Sequence, residues 1–232
     1  MNSNSNERKG YRTAFKATSL FGGVQVVTIL IGILKSKLVA VWLGVTGFGI
    51  MGLFNSSISL ISSITNLGLQ SSAVREIATV SADNDILKFS RLIKAISRWV
   101  WLTGLFGALV TICLSPWLSR LIFNSDKFVL SFALLAVVVL LTGLYSNHYA
   151  LLQGTRKLKF MALANVYGAL IGFLCSVPMF YFFRESGITY ALISSALSIT
   201  LVSYLYARKI KTVKVNQTIK ESFIICLLYT SD

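Results

Sequence analysis

Long uncharged stretches separated by short basic segments constrain this chain more than any other feature. A helix needs about 20 apolar residues to cross the hydrocarbon core of a bilayer, and most of the stretches are that long. The stretch 38–74 is too long for one crossing, so we expect a turn at the glycine cluster 44–49. The sequence therefore predicts an all-α, polytopic membrane bundle of six transmembrane helices, at 17–43, 50–70, 98–118, 128–152, 161–183 and 188–207.

The basic residues predict the orientation of these helices. The chain has 22 Lys and Arg residues and a formal net charge of +14, and most of them fall on alternate loops. Short loops rich in Lys and Arg stay in the cytoplasm, so we expect a cytoplasmic N-terminus. The charge then reflects topology and contact with anionic membrane lipids, and no nucleic-acid partner is expected. The cytoplasmic set comprises Arg8, Lys9, Arg12, Lys16, Arg75, Lys88, Arg91, Lys94, Arg98, Arg156, Lys157, Lys159, Arg208, Lys209, Lys211, Lys214 and Lys220.

The same pattern divides the chain into four parts. Residues 1–16 form a basic cytoplasmic N-terminus, 17–207 the six-helix membrane lobe and 208–221 a basic cytoplasmic linker. Residues 222–232 are interpreted as the start of a seventh span. We expect this span to be truncated or artificial, because 226–232 resembles adaptor sequence translated from assembled sequencing reads. We therefore expect the chain to be one lobe of a longer protein.

Two lysines lie inside the first predicted span. An intramembrane charge costs at least about 2.5–3.5 kcal/mol on insertion scales and is a functional hypothesis by default. Lys35 and Lys37 are two residues apart, about 200° around a helix, so they cannot face one cavity together. We expect one to face the interior and the other to extend to the outer interface, without a basis for choosing between them.

Two predicted spans carry polar stripes whose members recur at spacings of four, three and four residues. Such a stripe serves either as a packing contact between helices, worth about 0.6 kcal/mol per hydrogen bond, or as the lining of a wet cavity. Two stripes together with an intramembrane lysine favour a hydrophilic lumen. The stripes comprise Asn55, Ser59, Ser62 and Asn66 in span two, and Thr142, Ser146, Tyr149 and Gln153 in span four.

Two further patterns concern packing. In span five, small residues recur at every fourth position, which lets two helices approach closely. Between spans two and three, residues 86–98 read as a basic amphipathic helix that lies on the inner surface before the chain turns into the membrane. Its N-terminus has capping candidates at 83–85. The small residues of span five are Ala164, Gly168, Gly172 and Ser176.

Catalytic chemistry is not predicted. No acidic residue lies clearly within a span, and the three cysteines show no metal or redox spacing. His148 is the single histidine, and we interpret it as a packed residue rather than a proton relay. The cluster 44–49 has the wrong glycine order for a dinucleotide loop. We therefore expect no enzyme, no catalytic residue, no metal and no cofactor.

Three segments carry a resemblance to a known family. They are K-L-V-A-V-W-L-G-V-T-G-F-G at 37–49, the segment 69–78 with V-R-E-I-A at its end, and L-L-Q-G-T-R-K-L-K at 151–159 followed by 162–172. In this order they resemble Wzx-type O-antigen and polysaccharide flippases of the multidrug/oligosaccharidyl-lipid/polysaccharide exporter superfamily. Such proteins have twelve helices in two lobes and work by alternating access in the bacterial inner (cytoplasmic) membrane.

The resemblance implies a substrate, a polyprenyl (undecaprenyl) diphosphate-linked oligosaccharide for O-antigen, lipopolysaccharide or a related surface polysaccharide. It implies a C-terminal lobe, a polysaccharide polymerase and chain-length proteins as partners, and a coupling ion, H⁺ or Na⁺, that stays unidentified. Lys37 and Arg75 match basic positions of the family. Alternatives are a non-transporting scaffold of an envelope polysaccharide complex and a cation-coupled multidrug exporter of the same superfamily. The candidate substrate-binding residues are Lys37, Lys35, Arg75, Asn55, Ser59, Asn66, Tyr149 and Gln153.

Overall fold

The computed structural model describes the backbone of residues 3–66, 69–82 and 85–210, and the side chains of 22–65, 70–82 and 85–210. This part of the chain is almost entirely helical and contains no β-strand. A short 3₁₀ turn at Asp126–Phe128 precedes the fourth helix. The five α-helices are α1 (Ser3–Asn66), α2 (Leu69–Ala82), α3 (Ile86–Phe123), α4 (Val129–Gly154) and α5 (Leu158–Ala207).

Helix α1 is interrupted at Gly44. This residue has φ 70° and ψ −170°, a conformation that a side chain disfavours and that glycine adopts freely. The turn expected within 44–49 is thereby confirmed, although it is confined to one residue, since helix resumes at once and continues to Asn66. Gly44 thus divides α1 into two arms, 3–43 and 45–66.

Helix α5 is interrupted at Arg184, close to the boundary predicted between spans five and six. Arg184 has φ 47° and ψ −124°, and the arms 158–183 and 185–207 pack against each other. The small residues of the first arm are buried and let the second arm approach. A Cβ atom built on Gly168 would lie 2.8 Å from Cγ1 and 2.9 Å from Cα of Ile199. The predicted close approach through small residues is confirmed.

The helix predicted at residues 86–98 is present, but the turn predicted after it is wrong. Instead of a surface helix that turns before the membrane, the structure has one continuous helix of 38 residues, α3. Nothing near Arg98 breaks a helix, and Phe89, Leu92, Ile96 and Val100 are buried along one continuous side. Asp85 does cap α3, since its Oδ1 accepts hydrogen bonds from the amides of Leu87 (3.0 Å) and Lys88 (3.1 Å). The capping candidates 83 and 84 lie outside the described residues.

Helix α2 was not predicted as a separate element. Its buried residues Ala73, Ile77 and Val80 recur at spacings of four and three, which places them on one face. This face joins a core cluster with Leu152 of α4 and Met161 of α5. The amphipathic pattern was present in the sequence, but charges at Arg75 and Glu76 made the segment read as loop.

The helices surround two apolar clusters and expose an apolar exterior. One cluster is centred on Phe54, Phe132 and Phe180, and the other on Ile77 and Leu152. Val45 and Phe182 are 90% and 74% exposed. Such exposure of apolar side chains is unfavourable in water and favourable in lipid.

The described part contains four helices that are long and apolar enough to span a membrane, in Gly22–Thr65, Ile86–Phe123, Asp126–Gly154 and Leu158–Ala207. The fold is that of a multi-pass membrane protein.

Candidate functional site

The candidate site is an open hollow between α1, α2 and α4, which we call the polar hollow. Its volume is about 730 Å³, within the range typical of small-molecule sites. Seven described side chains line it, and six of them are neutral hydrogen-bonding groups. The lining comprises Ser59, Ser62 and Ser63 of α1, Gln70, Ser71 and Val74 of α2, and Gln153 of α4.

A close approach of α2 to the end of α4 forms one wall of the polar hollow. Gly154 is buried, and a Cβ atom at this position would lie 2.6 Å from Cγ2 of Ile77 and 3.1 Å from the carbonyl oxygen of Val74. Only a glycine allows the two backbones this separation. Consequently Val74 of α2 lines the same space as Gln153, the residue before Gly154 in α4.

The two predicted polar stripes meet beside this hollow. The hydroxyl oxygens of Ser62 and Thr142 are 3.4 Å apart, so span two and span four contact each other through their stripes. The hydroxyl of Thr142 also lies 2.8 Å from the carbonyl oxygen of Val139, to which it donates. Ser59 and Gln153 are exposed and line the hollow. The same stripes therefore supply a packing contact and part of a polar lining.

Other predicted residues lie outside the lining. The exposed amide of Asn55 donates to the carbonyl oxygen of Met51 at 2.9 Å. Tyr149 is half-buried against the ring of Tyr145, with centroids 5.5 Å apart. Arg75 is exposed on α2 and follows Val74 directly in the chain. The side chain of Asn66 lies outside the described residues.

The two lysines of α1 have different surroundings. Lys35 is half-buried, and its Nζ donates to the hydroxyl of Ser195 on the second arm of α5 at 2.9 Å. The hydroxyls of Ser195 and Ser176 are also 2.9 Å apart, so a short polar chain joins α1 to both arms of α5. Lys37 is exposed. Lys35 therefore contacts a neighbouring helix whereas Lys37 is exposed, and neither lysine is in the lining of the polar hollow. That one of them extends to the outer interface stays a prediction.

Some residues of the site escaped the sequence analysis. Gln70 and Ser71 line the hollow but were assigned to a loop, because α2 was not recognised. Ser195 was hidden among other small residues of span six, and only the fold shows that it meets Lys35. A further polar pair joins α4 to α5, where the hydroxyl of Tyr145 donates to Oδ1 of Asn165 at 2.8 Å.

The lining can form hydrogen bonds with a ligand. Its hydroxyls and amides can donate and accept hydrogen bonds, and its described side chains include no carboxylate, histidine or cysteine. His148 lies elsewhere, half-buried, with its ring centroid 5.5 Å from that of Tyr204. Within the described ranges, no group of three His, Cys, Asp or Glu side chains could hold a metal ion.

Comparison with known proteins supplies the family. No curated protein and no solved structure matches the chain significantly. The family described as "Polysaccharide biosynthesis protein" matches residues 15–230, which covers nearly all of the sequence. This is the family of Wzx-type flippases, so the resemblance seen in the three sequence segments is confirmed. The chain belongs to the polysaccharide biosynthesis protein family of membrane proteins.

Proposed function

We propose that this chain is a lobe of a flippase that moves a polyprenyl-diphosphate-linked oligosaccharide from the inner to the outer leaflet of the bacterial cytoplasmic membrane. The observation that carries the proposal is the polar hollow of about 730 Å³ in a lobe whose exterior is apolar. Membership of the polysaccharide biosynthesis family supports it. The reaction we propose is transport by alternating access, not catalysis.

The proposed topology has six crossings with the N-terminus in the cytoplasm. Gly44 and Arg184 each divide a long helix into two arms, which with α3 and α4 gives six rods. A straight crossing by the 50 residues of α5 would measure about 75 Å, far beyond the ~30 Å hydrocarbon core, so two crossings fit better. The strong excess of Lys and Arg on the side of the N-terminus favours a cytoplasmic location for that side.

The chemistry of the hollow suits an oligosaccharide. Sugar hydroxyls lose hydrogen bonds to water on entering hydrocarbon, at a cost of several kcal/mol per group. Side chains such as Ser59, Gln70 and Gln153 can replace those bonds while remaining uncharged. The polyprenyl tail would remain in lipid beside the lobe. Neutral lining groups also release the substrate readily, as a transporter requires.

The basic residues would act on the diphosphate. Arg75 is exposed directly beyond the hollow's Val74, and we assign it to initial capture of the diphosphate at the inner side. Lys37 is exposed farther along α1 and would contact phosphate or sugar later in the cycle. Lys35, joined to Ser195, is placed to position α1 against α5 while contributing positive charge.

The proposal includes partners and energetics. A second six-helix lobe would complete the cavity, and a polysaccharide polymerase and chain-length proteins would use the product. An H⁺ or Na⁺ ion could drive the cycle. A cation-coupled drug exporter is less well supported, because the described carboxylates Glu76, Asp85, Asp126 and Glu185 all lie outside the polar hollow.

The test compares two substitutions on one helix in the native host. Ser59→Leu, made at the native locus, removes a hydroxyl from the hollow, whereas Ser56→Leu makes the same change at an exposed position that does not line it. We expect Ser59→Leu to reduce surface polysaccharide and to accumulate the lipid-linked precursor, while Ser56→Leu behaves as wild type at equal protein level. Gln153→Leu should repeat the effect of Ser59→Leu.

The two readouts separate the alternatives. Loss of the polysaccharide without accumulation of its lipid-linked precursor would contradict transport and indicate a biosynthetic step. Wild-type display from both hollow variants would contradict a substrate path through the hollow and favour the scaffold. Unchanged polysaccharide with increased drug sensitivity would favour the multidrug exporter.

A further inference from the structure

A second hollow lies at the C-terminal end of α2, near the basic ends of the helices, whereas the polar hollow lies along the N-terminal half of α2. Its volume is about 460 Å³. It is formed where the end of α2, the start of α3, the α4–α5 turn and the end of α5 meet. Its lining comprises Val80, Ser81, Asp85, Ile86, Phe89, Thr155, Lys157, Lys209 and Ile210. We call it the basal hollow.

Two lysines of the basal hollow converge on one aromatic ring. Nζ of Lys157 lies 5.9 Å and Nζ of Lys209 lies 5.7 Å from the centroid of Phe160. Lys209 also lies 4.9 Å from the centroid of Tyr206. These rings hold the ammonium groups by cation–π attraction without neutralising them. In the described part of the chain neither lysine forms an ion pair.

The remaining lining provides an apolar floor. Val80, Phe89 and Ile210 are buried hydrophobic residues that line the same hollow as the two lysines. The acidic member, Asp85, is engaged by the α3 amides that it caps at 3.0 and 3.1 Å. Among the described residues, the site therefore combines two lysines that form no ion pair with an adjoining apolar surface.

We propose that the basal hollow binds an anionic phospholipid, with the phosphate between Lys157 and Lys209 and the upper acyl chain on the apolar floor. Basic hollows between membrane helices near the cytoplasmic surface take such headgroups. The rest of the basic linker, 211–221, is a poor charge complement, because it contains three lysines and one acidic residue, Glu221. The site is distinct from the proposed substrate path. Its assignment to the inner leaflet rests on the proposed function, in which the N-terminus lies in the cytoplasm.

The binding test uses the 232-residue chain in phosphatidylcholine nanodiscs with a small amount of spin-labelled phosphatidylglycerol. The immobilised fraction of the label gives its association relative to labelled phosphatidylcholine. Removing two lysines by Lys157→Gln with Lys209→Gln should lower this preference about tenfold or more, since each ammonium group held against the headgroup contributes roughly fivefold. The matched control, Lys159→Gln with Arg208→Gln, removes two exposed charges at the same end that do not line the hollow, so it loses only their long-range attraction and should lower the preference by a clearly smaller factor.

A third variant keeps the charge and fills the space. Ser81→Trp should block the basal hollow and lower the preference as strongly as the double lysine variant does. If the double lysine variant fails to fold, Ser81→Trp alone tests whether the phospholipid binds in the basal hollow. Equal losses in the lysine pair and its control would show a diffuse charge effect and overturn the site, as would an unchanged preference in Ser81→Trp. Complete displacement of the lipid by inorganic phosphate would also overturn it, because the ligand would then be a free anion.

Discussion

The close approach of the two arms of α5 predicts a large effect for a single added methyl group. In Gly168→Ala, the new Cβ would meet the side chain and the backbone of Ile199, at 2.8 Å from Cγ1 and 2.9 Å from Cα. Separations below 3.0 Å force a shift, and the neighbouring backbone cannot move aside as a flexible side-chain tip can. Overpacking of this kind costs about 1–3 kcal/mol.

The steric cost of the methyl group in Gly168→Ala is measured best against another glycine-to-alanine change in a helix, because both changes alter helix propensity equally. A Cβ on Gly52 of α1 would meet nothing within 4 Å, so Gly52→Ala carries only the gain of about 1 kcal/mol that alanine gives a helix. The difference between the two variants is therefore the steric cost alone. At about 2 kcal/mol this corresponds to a melting temperature roughly 4–8 °C lower for Gly168→Ala than for Gly52→Ala.

Thermal unfolding in a mild detergent, followed by circular dichroism, measures this difference. Gly172→Ala should be intermediate, because its Cβ would lie 3.1 Å from Cα of Ser195. Equal melting temperatures for Gly168→Ala and Gly52→Ala would refute the close packing of the α5 arms. Association of membrane helices depends on such packing, so this result would also remove the basis for a compact lobe.

Three further predictions concern the breaks in the helices and the intramembrane lysine. Arg184→Gly should raise the unfolding free energy by about 1 kcal/mol, because φ 47° strains a side chain, and detergent titration measures it. Gly44→Ala should lower that free energy by about 1–2 kcal/mol, since φ 70° favours glycine; an unchanged value would contradict the break. A double-mutant cycle of Lys35→Met and Ser195→Ala should give a coupling of about 0.6–1.7 kcal/mol for their hydrogen bond, and additive effects would contradict it.

The sequence predicted the helix breaks and the polar faces of spans two and four for physical reasons. A run too long for one crossing needs an interruption, and Gly44 is where positive φ is tolerated. The charges Arg184 and Glu185 similarly interrupt the apolar run near the observed break in α5. Regular spacing of four, three and four put Ser59 and Ser62 on one face. The pairing of these two faces through Ser62 and Thr142 was not predicted and is seen only in the fold.

Other features could not be derived from local patterns. The basic residues of 86–98 resembled a surface helix, but continuous burial from Phe89 to Val100 keeps α3 straight through this region. Helix α2 was overlooked because its charges masked a narrow apolar face. The partner of Lys35 depends on which rotation α5 adopts, and Ser195 is 160 residues away in the chain. Tertiary packing decided these three features.

The proposed transport depends on the polar hollow, and the hydration of this hollow in a membrane tests the proposal most directly. In a variant whose three native cysteines are replaced by alanine, single cysteines at Ser59 and Gln153 probe the hollow, and one at the 66% exposed Leu60 probes the outer surface. Only a hydrated thiol ionises and reacts with a membrane-impermeant maleimide. If the hollow is filled with water, S59C and Q153C should react about tenfold or more faster than L60C. Equal, slow reaction at all three positions would contradict a water-filled path through this lobe.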